Sequence, residues 1–464
     1  MRRAIIAAFI VVSCCSLTYA QPMQPGGGLP VASTVQLPTF GVSIDAAGVL
    51  SLRRVVDPGG RLRAARAVAA AAARPPALRK PSACRMVSLT RLEAAIRREL
   101  AAGRSLDDTM LNLAGLLRVE FAFLFTDTNE IVIAGPAEGW VDDGAGRRIG
   151  LTTGRPVVQL EDLVVALRAF PAGDRGRPFV GCTISPDRNG LRRLQEFQRT
   201  IPRSVPQNQR TRTAIAVAKG MRDALGMAHI RVFGISPKTR MAQVLIEADY
   251  RMKLIGVGVE PPPVKMKTFV NSLSGSKQSG LQRWWFTPHY ECLKMSADRH
   301  AMQLVGRGVQ LQTEDKTVGP DGRAIDSGRP PSKAAQTYAS SFTARYSDIS
   351  AAQPVYAELR NEIDLLTLGA FLQHEDWYSQ VGWKALVLND EAAVKTETKQ
   401  PATDAQCVAN SIWKGARMFS PAGGGVSIQP HRALESELPD DNRKLEHWRD
   451  HLDTRRLVAR WWWD

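Results

Sequence analysis

Cysteine is scarce: the chain has six in 464 residues. Cys84, Cys182, Cys292 and Cys407 follow the N-terminal segment and lie about a hundred residues apart, so none forms a CxxC or other local metal-ligand pair. That spacing excludes zinc ribbons and thioredoxin-type redox chemistry, and no metal site is expected. In an oxidising compartment these four allow up to two disulfides in any of three connectivities, with buried free thiols as the equal alternative. Long apolar runs are also missing. Past the N-terminus no segment has the ~18 uncharged apolar residues that a membrane-spanning helix needs. No Walker A loop, GxGxxG, GxSxG or HExxH occurs, so no cofactor is expected from these motifs.

The N-terminus carries an export pattern. Met1-Arg2-Arg3 is a positive start, Ala4 to Val12 is uncharged, and Thr18-Tyr19-Ala20 is a small–x–small cleavage site. Such an apolar stretch is too short to span a bilayer, so residues 1–20 read as a signal peptide, with Gln21 opening the mature chain. Val11-Val12-Ser13-Cys14 loosely matches the box before a lipidated cysteine, although Cys14 comes early for it. The expected location is periplasmic, cell-surface or extracellular.

Acidic residues are outnumbered: 45 against 61 basic ones, a net charge of +16. Removing Arg2 and Arg3 with the leader lowers this by two, to +14. An exported chain this basic meets an anionic envelope surface more readily than nucleic acid, and another envelope protein is the other expected partner. Hydrophobic content of 44% and charged content of 23% are those of an ordinary globular protein able to build a core.

Composition along the chain gives the organisation. Gln21 to Pro30 is a flexible leader, and Arg61 to Arg74 is an Ala/Arg run with strong helix propensity but little to bury, ended by Pro75-Pro76. Residues 21–83 therefore read as a flexible and helical linker. A helix opens at Ser88, a short one follows near Leu106, and Val119 to Thr126 with Ile131 to Ala134 make a hairpin. Phe179 to Ile184 and Val232 to Ile235 are apolar strands, each followed by Ser-Pro (Ser185-Pro186, Ser236-Pro237) and then a helix. Ser suits a cap and Pro a first helical position, so each pair is expected to start its helix. Arg283 to Met295, His300 to Val305 and Val309 to Thr313 read as an antiparallel meander, with Pro288 at an edge or bulge. Residues 84–316 form the expected core domain, 317–331 a Gly/Pro-rich linker and 332–464 a helical, partly disordered region. Its clearest feature is the stripe Val355, Leu359, Ile363, Leu366 and Ala370. The fold class expected is α+β: helices packed on a mixed sheet with strand–SerPro–helix units, an antiparallel meander and a helical C-terminal region.

Candidate chemistry is thin. Ser274-x-x-Lys277 and Ser411-x-x-Lys414 fit the SxxK pattern of serine acyltransferases, but Ser274 sits in loop-like sequence and no KTG follows either copy. His289, Glu291 and His300 are the best ligand cluster by composition. If Ser296 to Arg299 turns a hairpin, however, His300 lies opposite Met295 and His289 is ~20 Å away at ~3.3 Å per residue. One small metal ion cannot bridge that, which leaves His289 and Glu291 as an acid/base pair on one strand face. His374-Glu375-Asp376 ends a helix, where His favours the terminal carbonyls. Arg460, Trp461, Trp462 and Trp463 form a basic indole-rich tail that suits either surface attachment or return to the core.

With Glu247-Ala248-Asp249-Tyr250-Arg251-Met252-Lys253, Arg283 to Cys292, Ala301 to Leu304 and Tyr356 to Asn361 in view, the chain resembles a domain-of-unknown-function family of secreted proteins described from planctomycete genomes. The likeness runs from about Phe40 to Trp383. It implies export and carries no known activity. The function expected is that of an exported, non-catalytic envelope protein acting by binding or assembly. The alternative is an envelope hydrolase with an unrecognised site near residues 283–313.

Overall fold

The computed structural model describes residues 39–464, apart from 56, 58–59, 203, 274–280, 319–323, 327, 329, 415, 441–442 and 453–459. The expected leader, Cys14, Ser274 and Lys277 lie outside the described residues. From Leu37 onward the chain is a single unit with an α+β fold.

Two sheets organise the described residues. The larger has ten strands, in the order Thr39–Ile44, Val49–Val55, Asp404–Gln406, Met227–Phe233, Val180–Pro186, Ala416–Ile428, Leu281–Pro288, Val309–Val318 and Ala324–Asp326, with Val408–Lys414 paired to Ala416–Ile428 off that path. The second has seven: Leu438–Pro439, Leu293–Met295, Ala301–Leu304, Phe121–Phe125, Glu130–Ala137, Ser82–Ser88 and Trp462–Trp463. Helix Arg240–Gly256 packs on Val180–Pro186 and Ala416–Ile428 and against helix Pro354–His374, which packs in turn on helix Leu160–Ala169.

Strands occur within both segments that composition reads as linkers. Thr39–Ile44 and Val49–Val55, placed in a linker by composition, are paired strands joined by a turn whose Asp45 carboxylate accepts from the amides of Ala47 and Val49. Ala324–Asp326 pairs with Val309–Val318 inside the expected 317–331 linker. Residues after 390, expected to be helical or disordered, add five strands to the two sheets. In one of them, Ala416–Ile428, alternation is broken because its partners demand glycine. A Cβ on Gly424 would lie 1.7 Å from the Trp284 carbonyl oxygen, and one on Gly425 would lie 2.0 Å from that of Cys182. Backbone approaches that close exclude any side chain.

The meander is also revised. Leu281–Pro288 pairs antiparallel with Val309–Val318 directly, while Leu293–Met295 and Ala301–Leu304 form a hairpin in the other sheet. Pro288 ends the first strand, and the chain crosses between sheets before resuming. The two strand–helix units do share a sheet, where Val180–Pro186 and Met227–Phe233 are antiparallel neighbours. Their caps lie further on than Ser-Pro. Ser185 and Pro186 are the last strand residues, opposite His229 and Ala228, and Asp187 caps helix Arg188–Thr200. Pro186 is tolerated there because pairing to Ala416–Ile428 stops at Ile184, so no ladder donor is missed. In the second unit Thr239 caps Arg240–Gly256 through its hydroxyl, while the Ser236 carbonyl receives the Thr239 hydroxyl at 2.8 Å.

The centre of the molecule is ionic. Met241 to Gly256, except Gln243, is buried, yet this helix carries Glu247, Asp249, Arg251 and Lys253. Helix Pro354–His374 similarly buries Glu358, Glu362 and Asp364. Arg240 contacts Asp162, Glu358 and Glu362; Arg147 bonds Glu247 at 2.5 Å and Glu358 at 2.8 Å; Arg251 bonds Glu260 at 2.6 Å. Arg251 also approaches Glu247 to 3.5 Å, so three guanidinium groups and five carboxylates form one connected chain. Lys253 separately pairs with Asp249 at 2.6 Å and donates to the Ile184 carbonyl, while Arg118 pairs with Asp364 at 2.7 Å. Burial favours the neutral form of several of these carboxyl groups. Burial pushes Asp162 from 3.8 to about 7 and raises Glu247 and Glu362 in the same direction.

Two outcomes are expected. Because the fold holds the Asp162 proton more tightly than the unfolded chain, that contribution is complete below 3.8 and is lost as pH rises through about 7. The melting temperature should therefore fall between about pH 5 and about pH 8 more steeply in the native protein than in Asp162→Asn. Replacing Arg240 by Met removes the guanidinium that faces Asp162 and Glu362, leaves Glu358 with Arg147 alone, and should cost roughly 3–5 kcal/mol in denaturant unfolding.

Candidate functional site

A cleft of about 930 Å³ opens where the Ala/Arg helix crosses a short hairpin. Helix Arg61–Ala73 supplies Arg66, Ala69 and Ala70, with Arg74 just beyond its end. Arg66, Ala70 and Arg74 recur every fourth residue and so share one face. The small alanines let the helix lie close to strand Trp140–Asp142. Asp107 to Thr109, the hairpin residues 140–146, Arg148 and Arg53 complete the walls.

The wall is held by a hydrogen-bonded floor. Trp140 is fully buried and its indole N–H donates to Asp108 at 2.9 Å. The Arg74 guanidinium stacks 4.3 Å above that ring, pairs with Asp108 at 2.9 Å and donates to the Ala70 carbonyl. Arg148 pairs with Asp142 at 2.7 Å. The Asp143 carboxylate accepts from the amides of Ala145 (2.7 Å) and Arg147 (2.8 Å), closing the hairpin turn. Its carbonyl accepts from Arg66 at 3.0 Å. Burial raises the Asp143 carboxyl pKa above the usual range, and its second oxygen is buried with no hydrogen-bond partner. Arg147, in the same turn, reaches inward to Glu247 and Glu358. The rim of the cleft is thus fastened to the buried ion chain.

The cationic groups differ in availability. Arg74 is enclosed and held by its partners, whereas Arg53 and Arg66 are exposed and Arg148 is one-third exposed at 33%. Such a cleft can take an anionic group against exposed guanidinium donors above an aromatic floor. The Ala/Arg run, read from sequence as a solvated helix or linker, is one of its walls. The fourfold spacing of Arg66, Ala70 and Arg74 was the signal available.

The residues singled out from sequence do not converge. His289 and Glu291 lie beyond strand Leu281–Pro288; the His289 amide bonds the Gly308 carbonyl at 3.1 Å and Glu291 is exposed. They do not share a strand face. His300 precedes Ala301–Leu304 in the other sheet, beside Asp298. Ser411 is buried within strand Val408–Lys414 rather than at a helix start, so the SxxK arrangement is not formed there. His374 ends its helix and bonds the Glu375 carboxylate at 2.8 Å, while Glu375 also pairs with Arg299. Trp462–Trp463 pairs with Ser82–Ser88, and Trp463 is buried. Asp464 bonds the buried Arg85 at 2.7 Å, Arg85 stacks 5.0 Å from Trp462, and the Arg460 carbonyl accepts from Arg91. Trp461 and Trp462 are partly buried against the core.

Cys84, Cys182, Cys292 and Cys407 are free thiols, the last three buried. Burial pushes Cys84 up to about 11 and both Cys292 and Cys407 up to about 12, and raises Cys182 further.

The model of a family described as a protein of unknown function (DUF1598) matches residues 182–269. That span covers the two strand–helix units and contributes Arg240, Glu247, Arg251 and Glu260 to the ion chain; the cleft lies outside it. No curated protein and no solved structure matches the chain.

Alkylation followed by mass mapping should modify Cys84 slowly in the folded protein and leave Cys182, Cys292 and Cys407 unmodified until denaturant is added. A pair that reacts only after reduction would show a disulfide instead.

Proposed function

We propose that the protein is exported and binds an anionic envelope polymer in the cleft between the Ala/Arg helix and the 140–150 hairpin, without transforming it. The observation that carries this reading is the placement of the exposed Arg53 and Arg66 at one cleft whose floor is braced by Arg74, Trp140 and Asp108. Exposed guanidinium groups recognise carboxylates in a bidentate way, and a net charge of +14 after removal of Arg2 and Arg3 steers polyanions toward the exported chain. Export is supported by the Met1 to Ala20 pattern and by the likeness to secreted proteins described from planctomycete genomes.

The test is titration with polygalacturonate, a carboxylated polysaccharide, against neutral dextran. Polygalacturonate should bind and weaken as salt rises, because exposed charges are screened beyond ~10 Å at 0.1 M ionic strength. Dextran should not bind. The double variant Arg53→Ala/Arg66→Ala should lose roughly tenfold, about 1.4 kcal/mol, with an unchanged melting temperature. Equal binding by the variant would remove the cleft as the site. Sequencing of the exported protein should begin at Gln21; an intact Met1 or a lipidated Cys14 would refute that cleavage.

A further inference from the structure

Side chains alternate between the two faces of the ten-stranded sheet, and strand register fixes which of them share a face. Ile230, Cys182, Val426 and Trp284 are buried on the side where helix Arg240–Gly256 packs. On the other face, Met227, His229, Arg231 and Phe233 of one strand are all exposed. Arg231 is opposite Thr183, Thr183 opposite Gly425 and Gly425 opposite Trp285, so these residues form one row across four strands. Gln312, opposite Trp285, carries the row to a fifth. Aromatic rings stand at both ends of this outer face. Phe233 and Phe179 are each 38% exposed, and their rings meet at 5.9 Å with a 44° tilt. Phe179 fits there because Gly181, opposite Phe233, has no side chain: a Cβ would lie 3.1 Å from the Phe179 ring. At the other end Trp285 is half-buried, with the Arg283 guanidinium 5.5 Å from its ring centre and fixed by Glu314 at 2.7 Å. Between the two ends, Thr183, Gly425 and Ser427 raise only small side chains. Three strand spacings of ~4.8 Å place Phe233 about 14 Å from Trp285.

We infer that this face is a platform for a flat, neutral glycan chain of the β-1,4-linked kind. The pyranose rings of such a chain turn apolar C–H faces toward the aromatic ends. Their hydroxyls, which both donate and accept, meet the hydroxyl and amide groups of Thr183, Ser427 and Gln312. A single ring does not reach across ~14 Å, so the ligand is an oligosaccharide or longer. Charge selects a neutral polymer over an acidic one. Arg283 and Lys316 meet Glu314 at 2.7 and 3.2 Å, and His229 meets Asp404 at 2.7 Å, so the ionic groups of this face are largely matched within it. A single-stranded nucleic acid brings a charge with every base and follows a basic groove, which this face is not. An extended peptide joins a sheet through an edge, whereas these strands are interior ones. The platform is separate from the cleft and does not depend on its reading.

The probes are cellohexaose, cellobiose and a thymidylate oligomer, each titrated calorimetrically into the full chain. Cellohexaose should bind roughly tenfold or more tightly than cellobiose, which cannot span both aromatic ends. Its affinity should change little as salt rises, because no ion pair forms. Dextran, coiled by its α-1,6 links, presents no flat face and should not bind. Trp285→Ala should weaken cellohexaose roughly tenfold, and Trp285→Tyr should restore most of that. Phe233→Ala, at an exposed position, should weaken it roughly fivefold, which keeps the test valid if Trp285→Ala unfolds. Arg53→Ala/Arg66→Ala should leave cellohexaose unaffected, so failure of the cleft reading and failure of this one are distinguishable. No binding of cellohexaose, equal affinity for cellobiose, or binding that survives Phe233→Ala in a folded protein overturns the inference. Thymidylate binding that Phe233→Ala abolishes also overturns it, and marks a nucleic-acid surface instead.

Discussion

The rest of the fold is arranged around charges that have nowhere to go. Helices Arg240–Gly256 and Pro354–His374 are enclosed, and both carry ionisable side chains into the interior. An uncompensated buried charge costs several kcal/mol, so these groups require partners, and apart from the Asp249–Lys253 pair within one helix they find them elsewhere in the chain. Arg240 requires Asp162 at the start of helix Leu160–Ala169, Glu247 requires Arg147 from the hairpin turn, and Arg251 requires Glu260 past its own helix. The stabilising value of such pairs over an apolar core is small; their effect is to specify which surfaces meet. Burial raises Asp162 to about 7 and Glu362 in the same direction, which couples this specification to pH.

The cleft inherits its shape from that constraint. Residues 143–147 form one turn with two duties: Asp143 closes the turn and lines the cleft, while Arg147 reaches back to Glu247 and Glu358. The same economy appears at the C-terminus, where Trp462–Trp463 pairs with Ser82–Ser88 and Asp464 neutralises the enclosed Arg85. The segment matched by the family of unknown function supplies one side of the ion chain; Arg147, Asp162, Glu358 and Glu362, which supply the other, lie outside it.

Local features were readable in advance. Ser88 accepts from the Arg91 amide and opens helix Leu89–Ala101, Phe121–Phe125 and Glu130–Ala137 form the expected hairpin, and the Val355 to Ala370 stripe is helical. The same stripe concealed what matters most about its helix. Glu358, Glu362 and Asp364 occupy the face that amphipathic reasoning assigns to solvent, and they are buried in the fold, where helices Arg240–Gly256 and Leu160–Ala169 pack on this helix. The His289–Glu291 pairing failed because it assumed a continuous strand, whereas the chain leaves one sheet after Pro288 and enters another at Leu293.

Periodicity, turn chemistry and capping therefore determined the helices, the hairpins and the α+β class, because each rests on residues within a few positions of one another. Tertiary structure alone decided that Ala416–Ile428 lies between Val180–Pro186 and Leu281–Pro288, that an Ala/Arg helix becomes a cleft wall, and that the cysteines lie apart as free thiols. Each of these depends on backbone or charge from a distant segment: a carbonyl that leaves room only for glycine, or a guanidinium that must find its carboxylate. Such demands are made in space, between residues that no window of sequence contains together.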